Sequence, residues 1–294
     1  MDPAAAGRVE VVFEARAVTG EGPCWDAACA RVLFVDIPAG RLYRLEPTTG
    51  AIESREIGRP VGAVVPRAGG GYALAVEDGI AFLDDWDGPL RMVVPMGAPG
   101  FRLNDAKCDP AGRLFAGTMS YDLSPGAAAL YRIDGRRATP VVQGVTLSNG
   151  LDWSPAGDRM YYIDSLARSV DAFDYDPAAG TLADRRRLVV FDRDDGLPDG
   201  MCVDAEGALW VAMWGGGCVR RFDPQGAEIG RVDLPVSQPS SCCFGGAALE
   251  DLYITSATAG LSEEQLRAEP LAGALFRIRP GVAGLPAAPL TVLA

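Results

Sequence analysis

The sequence has no histidine in its 294 residues. That absence removes Ser-His-Asp triads, Cys-His dyads, histidine-ligated zinc and histidine general bases. Proton transfer is left to Asp, Glu, Lys, Tyr, Cys or water activated by a metal. Positive charge is also scarce: 27 Lys+Arg face 39 Asp+Glu, for a net charge of -12. That balance argues against a nucleic-acid partner, which needs a basic face, and against polybasic contact with a membrane. No apolar run reaches the roughly 18 residues of a membrane span. Met1 to Arg8 lacks the basic and apolar regions of a secretory signal. The seven cysteines are odd in number and match no CxxC metal clip. They are expected to be reduced and mostly buried, in a cytoplasmic protein.

What the chain does have is turn residues, 36 Gly and 22 Pro, which fit many tight turns better than long helices. It also has a repeat. A turn followed by an apolar strand recurs at Asp26, Pro66, Asp109, Ser154, Asp204 and Phe244, with spacings of 40, 43, 45, 50 and 40. A second strand follows each copy, as in RLYRLEP from Arg41 and ALYRIDG from Ala129. An outer strand usually follows that, as in Ile52–Ile57, Leu90–Val94, Ala138–Val142 and Arg187–Phe191. Counting the strand before each turn gives four per repeat, with period-2 alternation. The expectation is an all-β protein, one six-bladed β-propeller domain over residues 1–294. Val9–Ala15 is expected to complete the last blade, with Pro289–Leu293 competing for that role. One short helix is expected, Ser262–Glu269, capped by Ser262 and Gln265. The Arg185–Arg187 run reads as a solvated turn, and Trp25, Trp153 and Trp210 as packing residues between blades.

In a propeller the first strand of each blade lines the central channel, so equivalent positions form a ring. Five residues before each turn, that ring reads Glu21, Val61, Asn104, Asn149, Asp199 and Pro239. Four of the six are oxygen-bearing ligand types. Arg102 lies two residues before Asn104. Simple alternation places Pro23, Ala63, Ala106, Leu151, Met201 and Ser241 deeper on the same face. This predicts a polar mouth over a mostly apolar channel. The intervening Gly22, Gly62, Gly150 and Gly200 point to backbone crowding. Second-strand ends should return Asp36, Thr118–Tyr121, Asp164, Trp214 and Thr255–Thr258 to the mouth. Taken singly, Asn149-Gly150 and Pro198-Asp199-Gly200 are turn sequences, and Asp105 and Asp164 read as acceptors for blade backbone. The shared repeat register is what selects the set. Glu21, Asn149 and Asp199 together offer hard oxygen ligands for one divalent cation: Ca²⁺, Mg²⁺ or Mn²⁺, with Zn²⁺ or Fe²⁺ also open.

Several segments resemble the SMP-30/gluconolactonase/regucalcin family: GEGPCWD (Gly20–Asp26), RLNDAKCDPAGRLFAGTM (Arg102–Met119), SNGLDWSPAGDRMYYIDS (Ser148–Ser165) and PDGMCVDAEGALWVA (Pro198–Ala212). The C-terminal GLSEEQLRAEPLAGALFRI (Gly260–Ile278) is similar to its bacterial sugar lactonases. The resemblance implies a propeller with one catalytic divalent metal held by Glu21, Asn149 and Asp199. Arg102 and Asn104 would contact substrate. Tyr121 stands where the family's animal members carry an acidic residue, which leaves the substrate open. The implied reaction is hydrolysis of an aldonolactone, such as glucono-1,5-lactone or a pentonolactone. The metal would polarise the carbonyl, and Asp199 would serve as ligand and general base. The competing readings are a Ca²⁺-binding regulatory protein without turnover and a lactonase or esterase for non-sugar lactones. The expected partner is a small sugar lactone, with the protein a monomer.

Overall fold

The computed structural model describes residues 7–291. Their strands form six antiparallel sheets of four strands each. Blade 1 begins with Gly20–Asp26, blade 2 with Val61–Pro66, blade 3 with Phe101–Cys108, blade 4 with Ser148–Trp153, blade 5 with Leu197–Val203 and blade 6 with Pro239–Gly245. These six inner strands pack against one another around the channel. The expected six-bladed propeller is what the chain forms.

Blade 6 is completed from the other end of the chain. Glu10–Phe13 pairs antiparallel with Leu275–Ile278, with Glu10 opposite Arg277. An Arg277–Glu10 ion pair of 2.7 Å reinforces this seam. The N-terminal strand therefore closes the ring. The competing Pro289–Leu293 segment runs beyond the described residues at 292–293. Its Leu290 bridges Arg67 and donates its N–H to the Pro66 carbonyl. This segment packs on the end of blade 2 and completes no blade.

The repeat is held by a recurrent aspartate at the turn. Buried Asp204 accepts from the backbone N–H of Glu206 and Ala208, from Trp210 Nε1 at 2.9 Å and from Arg221 Nη2 at 2.6 Å. Asp109 does the same in blade 3, accepting from Ala111 N, Arg113 N, Arg113 Nε and the Tyr175 hydroxyl. One carboxylate thus satisfies the tight turn and ties it to a neighbouring strand or blade. Trp25, Trp153 and Trp210 are buried between blades, as expected. Phe115, Trp153 and Tyr175 meet edge to face at 5.4–6.2 Å, a favourable arrangement for ring quadrupoles.

The helix is Glu263–Ala268, with Ser262 and Gln265 forming the anticipated capping box. The arginine run departs from expectation. Arg185, Arg186 and Arg187 lie within the outer strand Thr181–Val190 and form no turn. Arg185 and Arg187 pair with Asp171, and Arg186 with Asp174, on the adjacent strand. Cross-strand ion pairing lets three consecutive arginines occupy a sheet edge.

Candidate metal centre and substrate pocket

Glu21, Asn104, Asn149 and Asp199 come from the inner strands of blades 1, 3, 4 and 5, and all four are buried. Asn149 Nδ2 donates to Ser165 Oγ at 3.0 Å and to Asp199 Oδ1. Its carbonyl oxygen Oδ1 is buried with no hydrogen-bond partner among the described residues. Glu21 Oε2 accepts from Gly22 N at 2.8 Å. Arg102 Nη1 donates to Asn104 Oδ1 at 2.7 Å, and Asn104 Nδ2 donates to the Ser148 carbonyl at 2.8 Å. Arg102 and Asn104 thus form one unit beside the carboxylates.

The electrostatics are unbalanced. Burial, followed by the charges of Asp199 and Asp105, holds the Glu21 carboxyl well above its ordinary range. Burial and Asp105 push Asp199 up in the same sense. Arg102 opposes them with positive charge. Two mutually repelling carboxylates and an orphaned amide oxygen are the donor set of a hard divalent cation, which would relieve both deficits. The residues therefore fit the metal that the sequence implied. No group of three or more His, Cys, Asp or Glu with metal-binding geometry occurs among the described residues. A set of two carboxylates and an asparagine falls outside that pattern.

Asp164 accepts from Thr146 N and Leu147 N, and Asp36 from Val18 N and Thr19 N. Both act as backbone acceptors at the mouth, the role expected of Asp164. Asp105 accepts from its neighbour's N–H, Ala106 N, at 2.7 Å. Tyr121 is 51% exposed, and its hydroxyl donates to Glu77 Oε1 at 2.6 Å. It stands on the rim of the mouth, outside the buried cluster.

The deeper channel requires a correction. Every inner strand shifts register at the ring: between Glu21 and Cys24, Val61 and Ala63, Leu103 and Ala106, Ser148 and Leu151, Pro198 and Met201, and Pro239 and Ser241. A bulge adds one residue and reverses the alternation beyond it. Ala63, Ala106, Leu151 and Met201 consequently pack into the cores between blades, with Ala106 and Met201 still touching the channel cavity. Positions three past the ring become channel-facing: Cys24, Val64, Lys107, Asp152, Cys202 and Cys242. All six line a cavity of about 470 Å³. Lys107, the chain's sole lysine, reaches Asp152 Oδ2 at 2.9 Å and the Met201 carbonyl at 3.1 Å. The channel beyond the ring is mostly apolar, as expected, but it also holds several thiols and the Lys107–Asp152 ion pair.

The bulges explain the glycines. A Cβ at Gly62 would overlap the backbone carbonyl of Asn104, and one at Gly200 would overlap the Ser241 side chain. Gly62→Ala should cost about 1–3 kcal/mol of stability. It should also raise KM by displacing Asn104. Denaturant melts and steady-state kinetics check both effects.

Sequence reasoning missed Glu77, Ser165 and the Lys107–Asp152 pair. Ser165 and Asp152 stood inside a family-like segment but off the ring register. Glu77 gave no signal, because blade 2 contributes only Val61 to the ring.

A family model described as SMP-30/Gluconolactonase/LRE-like region matches residues 19–258. Regucalcin from Danio rerio is 45% identical over 285 residues, covering 95% of this chain and 97% of that protein. A solved calcium-binding protein, regucalcin, from Agrobacterium tumefaciens has a TM-score of 0.93 at 26% identity, covering 97% of each chain. A luciferin-regenerating enzyme has a TM-score of 0.91 at 30% identity, covering 97% of this chain and 99% of that one. The chain belongs to the SMP-30/gluconolactonase/regucalcin family.

Proposed function

We propose that this protein hydrolyses a sugar-acid lactone to its open hydroxy acid with the help of one divalent cation. The observation that carries this reading is the buried set of Glu21, Asp199 and the unpartnered Asn149 Oδ1, set beside the Arg102–Asn104 unit. The family name includes gluconolactonase, which supports the reaction class.

Glu21, Asn149 and Asp199 would hold the cation, which supplies Lewis-acid polarisation of the lactone carbonyl and charge for the developing oxyanion. Arg102 Nε and Nη2 have no partner among the described residues, while Nη1 is tied to Asn104 and the Leu103 carbonyl. Those free donors orient the lactone's oxygens. Asp199 Oδ1 is occupied by the Asn149 amide, which leaves Oδ2 to take the proton from the attacking water. The water oxygen bonds to the carbonyl carbon, the ring C–O bond breaks, and the ring oxygen leaves as the alcohol, regaining one proton. The protein need not supply a histidine at any step.

The thiols suit a reducing compartment such as the cytoplasm, since all seven cysteines are free. No helix among the described residues is long and apolar enough to cross a membrane. A closed ring of blades has no unpaired inner edge to recruit a second copy, which favours a monomer.

The test is a pH-indicator assay on D-glucono-1,5-lactone, xylonolactone, arabinonolactone and galactonolactone. Chelator-stripped enzyme is re-supplied with Ca²⁺, Mg²⁺, Mn²⁺, Zn²⁺ or Fe²⁺. Metal-restored turnover above the uncatalysed rate is expected with at least one pair. Metal binding without turnover on any lactone would overturn this reading in favour of a Ca²⁺-binding regulatory role. The solved relative described as calcium-binding makes that the second reading.

A further inference from the structure

Blade 2 gives the ring only Val61, an aliphatic side chain. Its second strand, Tyr72–Val76, returns to the mouth and ends one residue before Glu77. Glu77 N donates to the Pro60 carbonyl, which fixes that residue beside the start of the inner strand. In blade 3 the equivalent strand, Leu114–Ser120, ends one residue before Tyr121, and Tyr121 N donates to the Gly100 carbonyl. Two anchored strand ends therefore bring a carboxylate and a phenol together on the rim, 2.6 Å apart. Arg102 lies within electrostatic reach of both, and of Glu21 and Asp199 on its other side. The tyrosine occupies Glu77 Oε1. Oε2 has no partner among the described residues, and neither do Arg102 Nε and Nη2. The neighbouring Asp78 is taken by Arg59 at 2.8 Å.

We infer that Glu77, steadied by Tyr121, is a specificity-determining residue that accepts hydrogen bonds from the hydroxyl groups of a polyhydroxylated ligand whose other end lies at Arg102. The inference rests on the lactonase reading and names its substrate class more closely. A carboxyl group with a free oxygen at the rim, a guanidinium with free donors beneath it, and carboxyl groups deeper in make a graded polar wall. Such a wall suits a ring with oxygens on several carbons. An unsubstituted lactone leaves Glu77 Oε2 unpaired and gains nothing from it. A hydrogen bond to a charged acceptor is worth roughly tenfold or more in affinity.

The test compares D-glucono-1,5-lactone with δ-valerolactone, the same ring without hydroxyls. In Glu77→Gln the amide oxygen still accepts from Tyr121, so the local structure is kept while the charge and the free acceptor are lost. The ratio of kcat/KM for the two lactones should fall about tenfold, through KM of the hydroxylated one. Glu77→Asp should restore part of the ratio, and Tyr121→Phe should lower it less than Glu77→Gln does. An unchanged ratio in Glu77→Gln, or equal losses on both lactones, would overturn the inference. If D-glucono-1,5-lactone is no substrate, whichever of the four sugar lactones the protein does hydrolyse takes its place, and if none is turned over with any metal the lactonase reading fails by itself. The subsite is then read by calorimetric titration with D-glucitol. A tenfold weaker Kd in Glu77→Gln supports it, and equal binding or none to the wild type overturns it.

Discussion

Asp199→Asn should lower lactone turnover by at least about a thousandfold while leaving the propeller folded. Asparagine matches aspartate in shape, so the inner strand and the Asn149 contact keep their geometry. What is lost is the negative charge that would help hold the cation and the oxygen that takes the proton from water. Two further readouts separate this from unfolding. Addition of the activating cation at about a hundred times its Kd should stabilise the wild type by about 2.7 kcal/mol. That corresponds to a rise of about 4 °C in Tm for a chain of this size. The variant should show little of this rise. Without metal, the variant should melt above the wild type, because Glu21 and Asp105 no longer face a second buried charge. Sites built for ligands commonly carry such stored repulsion. Near wild-type kcat in metal-supplied Asp199→Asn would remove the residue from the reaction.

The second large effect is structural. Asp204→Ala should cost about 3–5 kcal/mol, the usual range for breaking a buried ion pair from one side. The carboxylate is fully buried and serves two backbone N–H groups, Trp210 Nε1 and Arg221. Its removal leaves an indole donor and a guanidinium without their acceptor inside blade 5. Arg221 retains Glu206, which limits the loss. Urea unfolding should show the midpoint falling with little change in slope. Asp233→Ala is the control. Asp233 is 77% exposed in its pair with Arg231, and breaking such a pair should cost less than about 1 kcal/mol. Equal effects in the two variants would refute the view that the turn aspartates hold the repeat together.

The contrast between these residues shows what could be read in advance. Asp26, Asp109 and Asp204 recur at the turn start, so the repeat announced itself, and with it the blade count. Glu21, Asn104, Asn149 and Asp199 were legible for the same reason: one register, counted back from one turn, collects them. Simple alternation failed three residues later. Each inner strand bulges at the glycine or small polar residue next to the ring, and a bulge reverses which side chains face the channel. The glycines marked crowding without saying how many residues the ladder would skip. Lys107 and Asp152 were therefore missed, although they lie only three positions past Asn104 and Asn149. Glu77 was illegible for a different reason. Its position depends on where a strand end meets the next blade, and no periodicity within blade 2 encodes that.

The seam in blade 6 bears on how this molecule is made. Arg277 meets Glu10 across 267 positions of chain. Bringing the ends of so long a loop together costs about 5 kcal/mol of chain entropy, beyond a constant for any closure. The ribosome releases Glu10–Phe13 long before its pairing strand, Leu275–Ile278, can emerge. During that interval blade 6 is absent and blades 1 and 5 each present an uncovered face. Clipping the first dozen residues should therefore disturb refolding yield and aggregation more than it disturbs any contact in the metal centre, because the clipped strand is the latch of the ring.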